Sequence, residues 1–426
     1  MLKNAATPTV TPTPSLWGAN TFRAPLLAAA LVAGSTGLGC GSRPVAIPDT
    51  PATRGESFKA GAQQESGAAQ PDLASPGATP SRINNKFAGI SIAHEDWLAM
   101  GYRLDWVGYP FAAQHNIPIV AAAALGDVVV IQDSDGTAAL LETSTGQRRW
   151  GTSVANPLTK FVGISRDTTD AGRILISSES EGYLVADASG NLVAKIDYQK
   201  VVSTEPVMIG RLAIFGTATG EVLAHVVPLN VKGWGFQTAA AIEVKPALLE
   251  GGVVGVVNQA GDVYFITSRG ELVGRNRILG PVATDPATDG ASLYIAGLDQ
   301  SVWAFSGTGG LKWRHRTSQQ LRDKITYLNG VVYVAVPGTG LVALDTESGK
   351  TRWEAAETIG TVVGLRDKKL IVQTRTGVDQ LDPASGQRLG RIETPGMDRI
   401  ITDKPEDGNL YIISKTGVVG RFIPKM

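Results

Sequence analysis

The chain repeats itself, and that constrains its fold more than any single motif. Segments resembling Gly340 to Trp353, Gly-Leu-Val-Ala-Leu-Asp-Thr-Glu-Ser-Gly-Lys-Thr-Arg-Trp, begin at Gly136, Gly182, Gly220, Gly261, Gln300, Gly340, Gly377 and Gly417, at intervals of 37 to 46 residues. A period of this size marks an array of small structural units that cannot bury their apolar faces alone. Within the segment, Leu341, Val342 and Leu344 read as a β-strand. Asp345 to Gly349 reads as a tight turn, and a second strand brings in Trp353. An Asp opening such a turn accepts hydrogen bonds from the backbone two or three residues on, and a Gly closing it adopts φ > 0 without steric cost. The turn recurs with Gly146, Gly190, Gly270, Gly309 and Gly386, and the aromatic after it recurs as Trp150 and Trp313. In three units the aromatic slot holds Ala194, Gly274 and Gly390, and the third unit, Pro228 to Trp234, reads as degenerate.

Upstream of each start lies a second strand pair, exemplified by Val331 to Val336 and Leu410 to Ile413. Four short antiparallel strands per forty residues, with no helical segment between them, predict an all-β, eight-bladed β-propeller of four-stranded antiparallel blades. Its faces are buried between neighbouring blades, which accounts for unbroken apolar runs such as Val331-Val332-Tyr333-Val334-Ala335-Val336. The Trp positions are expected to fill the gaps between blades. The last unit runs out of chain after its third strand, whereas Tyr102 to Gly108 reads as a fourth strand without a blade, with Trp106 in the aromatic slot. Pairing the two would close the ring and remove an exposed edge. Seven blades, with the divergent third unit outside the ring, is the alternative.

The N-terminal region has another character. Residues 1–40 read as an export signal: an apolar run from Ala24 to Gly39 follows Arg23 and ends at Cys40, the one cysteine of the chain. A disulfide within the chain is therefore excluded, and so is a C-x-x-C metal or redox site. Small residues before Cys40 resemble the lipobox of bacterial lipoproteins, in which that cysteine becomes the lipidated first residue. Gly39 agrees with the pattern, whereas Gly37 stands where a Leu is usual. Gly41 and Ser42 lack the Asp that signals inner-membrane retention, which in a Gram-negative host favours the outer membrane. Residues 41–82 are rich in Ser, Pro, Ala, Gly and Gln and read as a disordered tether. A flexible coil of that length reaches about 35 to 40 Å. The propeller domain is then expected over residues 83–426.

The form Ala-Leu-Asp-x-x-Ser-Gly-Lys-x-x-Trp at Ala343 to Trp353 resembles the tryptophan-containing repeat of the pyrroloquinoline-quinone (PQQ) propeller superfamily, over roughly residues 100–426. That superfamily includes dehydrogenases and non-enzymatic scaffolds. With a lipobox-like N-terminus and eight blades, the chain is most similar to the BamB-type outer-membrane assembly lipoproteins. This resemblance implies a non-catalytic, exported scaffold of the cell envelope that binds a β-barrel assembly component and faces the periplasm from the outer membrane. A ligand-binding or PQQ-dependent oxidoreductase propeller is the alternative.

Candidate chemistry is sparse. Quinoprotein dehydrogenases carry an adjacent Cys pair, which this chain lacks, and no cofactor is expected. His94, His115, His225 and His315 have no metal-ligand spacing and read as surface or turn residues. Asp133-Ser134-Asp135-Gly136 opens like a calcium loop, but the twelfth position is Ser144 rather than Glu, so it reads as a strand-connecting turn. Gly307-Thr308-Gly309-Gly310 precedes a strand instead of a helix and so lacks the N-terminus that would hold a phosphate. Equal numbers of basic and acidic residues, 39 each, give no field to recruit nucleic acid. Asp345, Gly349 and the Trp residues read as parts of the repeat. Function is expected in the unrepeated loops or the central funnel.

Overall fold

The computed structural model of the chain describes residues 86–87, 90–91, 94–112 and 116–425. The expected signal, Cys40, the tether and His115 lie outside the described residues. A two-residue ladder pairs Lys86–Phe87 with Ile90–Ser91, a short helix follows at His94–Ala99, and every further sheet is a four-stranded antiparallel blade. Taking the strands of a blade as a to d from the axis outward, blade 1 comprises Ile119–Ala124, Val128–Asp133, Thr137–Glu142 and Arg148–Ser153. The same order holds through blade 7, whose outer strand is Arg388–Glu393. Blade 8 takes its inner three strands, Met397–Thr402, Leu410–Ser414 and Val419–Pro424, from the C-terminus and its outer strand, Tyr102–Gly108, from the N-terminal side. The register runs from Tyr102 opposite Pro424 to Gly108 opposite Val419, the closure expected from the incomplete last unit.

The ring has eight blades, and the seven-bladed alternative is set aside. Residues 207–237, where the sequence pattern fades, form a complete blade 3 from Val207–Ile209, Leu212–Gly216, Glu221–Val226 and Val231–Gln237. Its turn between strands c and d is a short 3-10 segment, Val227–Leu229, ending on Asn230 at φ 50° instead of a glycine. The blade is kept because burial depends on its alternating apolar strands, and a turn can change type without changing which face they present.

The core is distributed between blades. Val128 and Val130 pack toward blade 2 with Ile174 and Ile176, whereas Val129 and Ile131 pack toward blade 8 with Tyr411 and Ile413. Successive residues of a strand face opposite ways, so a strand between two junctions must be apolar at every position. Each of the eight junctions has such a cluster.

Tryptophan fastens five of these junctions by one arrangement. The indole Nε1 of Trp106 donates to Thr143 O (2.9 Å), Trp150 to Asp187 O (2.7 Å), Trp234 to Ser268 O (2.8 Å), Trp313 to Thr346 O (2.7 Å) and Trp353 to Pro383 O (2.8 Å). Each acceptor belongs to the c–d turn of the next blade, and the glycine of that turn lies against the indole. A Cβ on Gly349 would stand 2.6 Å from Trp313, and one on Gly386 2.4 Å from Trp353. Gly349 also has φ 66°, so backbone shape and close approach both demand glycine there. Trp234 corrects the reading of the third unit as degenerate. It pairs with Ala224 as Trp313 pairs with Ala304 and Trp353 with Ala343.

Where the indole is missing, the junction is built differently, and at two of the three the glycine turn that would receive it is missing as well. Ala194 faces the blade 3 turn that lacks glycine. Gly274 lets Thr308 O come so close that a Cβ would lie 2.0 Å from it. Gly390 faces blade 8, which has no c–d turn because its strands c and d, Val419–Pro424 and Tyr102–Gly108, are not consecutive in the chain. Helix His94–Ala99 fills that gap. Its Trp97 is 1% exposed, lies 4.3 Å from the Phe422 ring and joins Tyr102, Ile392 and Ile400 in the cluster between blades 7 and 8. Arg366 of blade 7 clasps the same seam. Its Nε donates to Gly101 O (2.8 Å), Nη1 to Asp407 (2.7 Å) and Nη2 to Lys425 O, so one guanidinium holds both ends of the closing blade.

Removing the Trp97 ring leaves a cavity at the closing junction. Trp97→Ala is expected to cost about 3–5 kcal/mol, measured by denaturant unfolding. Conversely, Gln300 occupies the b–c turn of blade 5 at φ 62°, where Gly136, Gly220 and Gly261 stand in other blades. Gln300→Gly is expected to raise stability by about 1 kcal/mol or less, because relief of the left-handed strain exceeds the added freedom of the unfolded chain.

Candidate functional site

Antiparallel order puts the d–a connections and b–c turns on one face of the ring and the a–b and c–d turns on the other. The residues singled out from the sequence are thereby separated. Trp106, Trp150, Trp313 and Trp353 lie at four different junctions toward the c–d face. Asp345 stays in its turn: Oδ1 accepts from Glu347 N (3.2 Å) and Ser348 N (3.0 Å), and Oδ2 meets Arg352 Nη2 at 2.7 Å. The Arg352 guanidinium, followed by the Ser348 hydroxyl and N–H, holds this carboxyl well below the usual range. All its acceptor capacity serves the hairpin.

The histidines differ from expectation at one position. His225 is 2% exposed on strand c of blade 3, not at the surface, because that strand is buried on both sides. Its Nε2 lies 3.2 Å from Asn230 Oδ1, and the Tyr198 ring meets it edge-on at 5.5 Å. Burial lowers its pKa below the ordinary value, more than Asn230 and Asp197 raise it. His94 is half-buried in the short helix, and His315 on strand d of blade 5 lies 3.0 Å from Gly349 O through Nδ1. Asp133 folds its own turn, accepting from Asp135 N (3.0 Å) and Thr137 N (2.8 Å). Among the described residues no group of three or more His, Cys, Asp or Glu is placed to hold a metal ion.

Several outer strands carry a built pattern. An acid at the start of strand c meets a cation on strand d: Glu181 with Lys195 (2.8 Å), Glu221 with Lys232, and Asp262 with Arg275 (3.0 Å). At Glu221, burial raises the pKa but Lys232 and Lys200 outweigh it, for a net lowering. In blade 7 the acid moves inward. Asp379, fully buried, receives Arg391 Nε (2.6 Å) and Nη2 (2.7 Å) and the Thr358 hydroxyl (2.8 Å). These pairs fix the outer strand and leave the rest of its outward surface free.

That surface is apolar over three neighbouring blades. Leu192 and Val193 open the outer strand of blade 2, Leu229 and Val231 lie at the start of that of blade 3, and Leu272 and Val273 open that of blade 4. All six are between 41% and 59% exposed. The corresponding residues are Arg148 and Arg149 in blade 1 and Thr351 and Arg352 in blade 6, whereas blades 5 and 7 carry a single exposed leucine, Leu311 and Leu389, each beside a cation. Each of these strands is a sheet edge, paired on one side only. An apolar edge with free backbone donors and acceptors is the surface onto which a further strand or an apolar patch docks. No motif announced it, because the residues belong to different repeats and become neighbours only around the ring.

At the axis a cavity of about 1100 Å³ is lined by the inner strands of blades 5 to 8. Tyr327, Thr361, Ile401 and Thr402 contribute to its wall.

Comparison with known proteins accords with this architecture. The family model described as outer membrane protein assembly factor BamB matches residues 104–227, 210–361 and 307–406. The chain belongs to the BamB family. It is 22% identical over 324 residues to the outer membrane protein assembly factor BamB of Burkholderia pseudomallei (strain K96243), covering 71% of this chain and 83% of that protein. It is 23% identical over 197 residues to BamB of Legionella pneumophila (strain Paris), covering 43% and 51%. Among solved structures, BamB from Moraxella catarrhalis superposes with a TM-score of 0.59 at 19% identity, over 76% of this chain and 97% of that one. The computationally designed Ika8 protein gives the same TM-score at 12% identity, over 72% and 97%. The structural likenesses speak to the fold, and the family match speaks to kinship with BamB.

Burial of neutral His225 makes stability depend on pH. Its folded pKa lies below the unfolded one, so the unfolded chain binds the extra proton and stability falls as pH drops below about 6.5, by up to about 1.4 kcal/mol per pH unit. His225→Gln keeps a donor for Asn230 and is expected to flatten this decline between about pH 7 and 5 in unfolding titrations.

Proposed function

We propose that the protein is an outer-membrane protein assembly factor: an exported, lipid-anchored, non-catalytic scaffold that faces the periplasm and binds a component of the β-barrel assembly machinery through the outer rim of blades 2 to 4. Membership in the BamB family supports the role. The observation that carries the site is the run of exposed Leu192, Val193, Val231, Leu272 and Val273 on three adjacent edge strands. The partner suited to it is a β-rich protein that contributes an extended edge strand or an apolar ridge. Lys195, Lys232 and Arg275 stand among the apolar residues and oppose indiscriminate edge-to-edge pairing. Cys40 is the anchor in this reading, and residues 41–82 are the tether that lets the ring stand clear of the bilayer.

The rim residues are exposed, so charged substitutions leave folding within about 0.5 kcal/mol of the parent. Val193→Asp combined with Val273→Asp is expected to unfold like the parent yet recover severalfold less of a barrel-assembly component, identified by mass spectrometry after crosslinking in cells. Undiminished recovery would remove the rim from the interface. For the anchor, metabolic fatty-acid labelling is expected to mark the parent and not Cys40→Ala; an unlabelled parent argues against lipidation.

A further inference from the structure

Two cations at the mouth of the axial cavity have no counter-charge among the described residues. Lys324 lies in the connection that leads into the inner strand of blade 6, and Arg375 lies in the b–c turn of blade 7, so both sit on the same face of the ring. Both are exposed, both line the cavity, and among the described residues neither makes a side-chain hydrogen bond or ion pair. Other basic side chains near the axis are spent. Lys245 meets Glu205 at 2.7 Å, and Arg399 meets Asp398 (2.6 Å) and the carbonyls of Ile119 and Val120. Asp323, beside Lys324, is the one acid lining the cavity and leaves a net positive mouth.

Behind the two cations the wall changes. Tyr327 and Thr361 offer hydroxyls beside Val363, Ile401 and the outlying Ile359, whereas the Thr402 hydroxyl is spent on the carbonyls of Lys404 and Asn409. The Thr361 hydroxyl has no partner among the described residues. At about 1100 Å³ the space lies just above the usual range for small-ligand sites. A free phosphate or carboxylate would need donors converging from several sides, whereas here the cations occupy one edge. An acyl chain would meet a wall interrupted by hydroxyls. A polypeptide segment satisfies both parts, with carboxylates at the mouth and amide groups and small apolar side chains along the threonine and aliphatic wall.

We propose that the axial cavity of blades 5 to 8 is a binding site for an acidic polypeptide segment, with Lys324 and Arg375 as its carboxylate-reading residues. The site is separate from the rim of blades 2 to 4. It rests on the scaffold reading only in that its ligand is a protein. Because both cations are exposed, they contribute through encounter rate and selectivity, and binding weakens with added salt.

The test is fluorescence anisotropy on the full chain with a short labelled peptide of alternating glutamate and valine. Its glutamine and lysine counterparts, inorganic phosphate, acetate and oleate serve as alternatives. The glutamate peptide is expected to bind. Lys324→Glu with Arg375→Glu is expected to weaken it about tenfold, the effect of two exposed pairs lost and replaced by repulsion. The reversed protein should gain affinity for the lysine peptide, a gain that misfolding would not produce. Absence of glutamate-peptide binding, equal binding of the glutamine peptide, or indifference to the charge reversal overturns the proposal. So does displacement by phosphate or acetate at concentrations too low for ionic screening, which assigns the site to a free anion, or preferential binding of oleate, which assigns it to an acyl chain. Rim function is read separately. If the charge-reversed protein still captures the barrel-assembly component while glutamate-peptide binding never occurs, the cavity proposal fails and the scaffold reading stands.

Discussion

The ring depends on contact between the tryptophan of one blade and the glycine turn of the next. The indole needs a flat, close surface and an acceptor for its N–H; the turn supplies both because a residue without a Cβ lies over the ring and a carbonyl faces Nε1. At a junction otherwise made of aliphatic strands, this contact adds direction. Hydrophobic burial favours any close packing of two sheets, whereas a hydrogen-bonded indole selects one offset and one angle. Repeated around the axis, that selection lets eight blades close without a gap.

The exceptions follow from the same constraint. The slot holds Ala194 where the next turn is a 3-10 segment, Gly274 where the next turn presses directly on the backbone, and Gly390 where the next blade has no c–d turn. At this last junction Trp97 enters from the preceding helix and restores an aromatic to the gap. Closure therefore relies on residues just before the first blade strand, and Arg366 gathers the carbonyls of Gly101 and Lys425 into one clasp. The N-terminal segment that would carry the tether is built into the seam.

A fold so committed to its own closure leaves function to what the repeat does not use. The rim of blades 2 to 4 and the axial cavity are unlike in chemistry, one aliphatic and edge-like, the other hydroxyl-lined and cationic at its mouth. They lie at different radii of the ring, so occupancy of one leaves the other open. That geometry suits a protein that holds partners in a set arrangement.

Read alone, the sequence determined the propeller, its closure by Tyr102 to Gly108 and the structural role of Asp345, Gly349 and the repeated Trp residues, and it favoured eight blades over seven. These follow from period, alternation and turn chemistry, which are local along the chain. The sequence did not disclose that Trp234 fills its slot, because the turn before it lacks the acid and the glycine that mark the slot in other units, or that His225 is buried, because a single polar residue in an apolar strand does not say which way it faces. The rim, the Trp97 plug and the pairing of Lys324 with Arg375 at one cavity were decided by tertiary structure alone. Each joins residues from different repeats, and only the curvature of the closed ring determines which distant positions become neighbours.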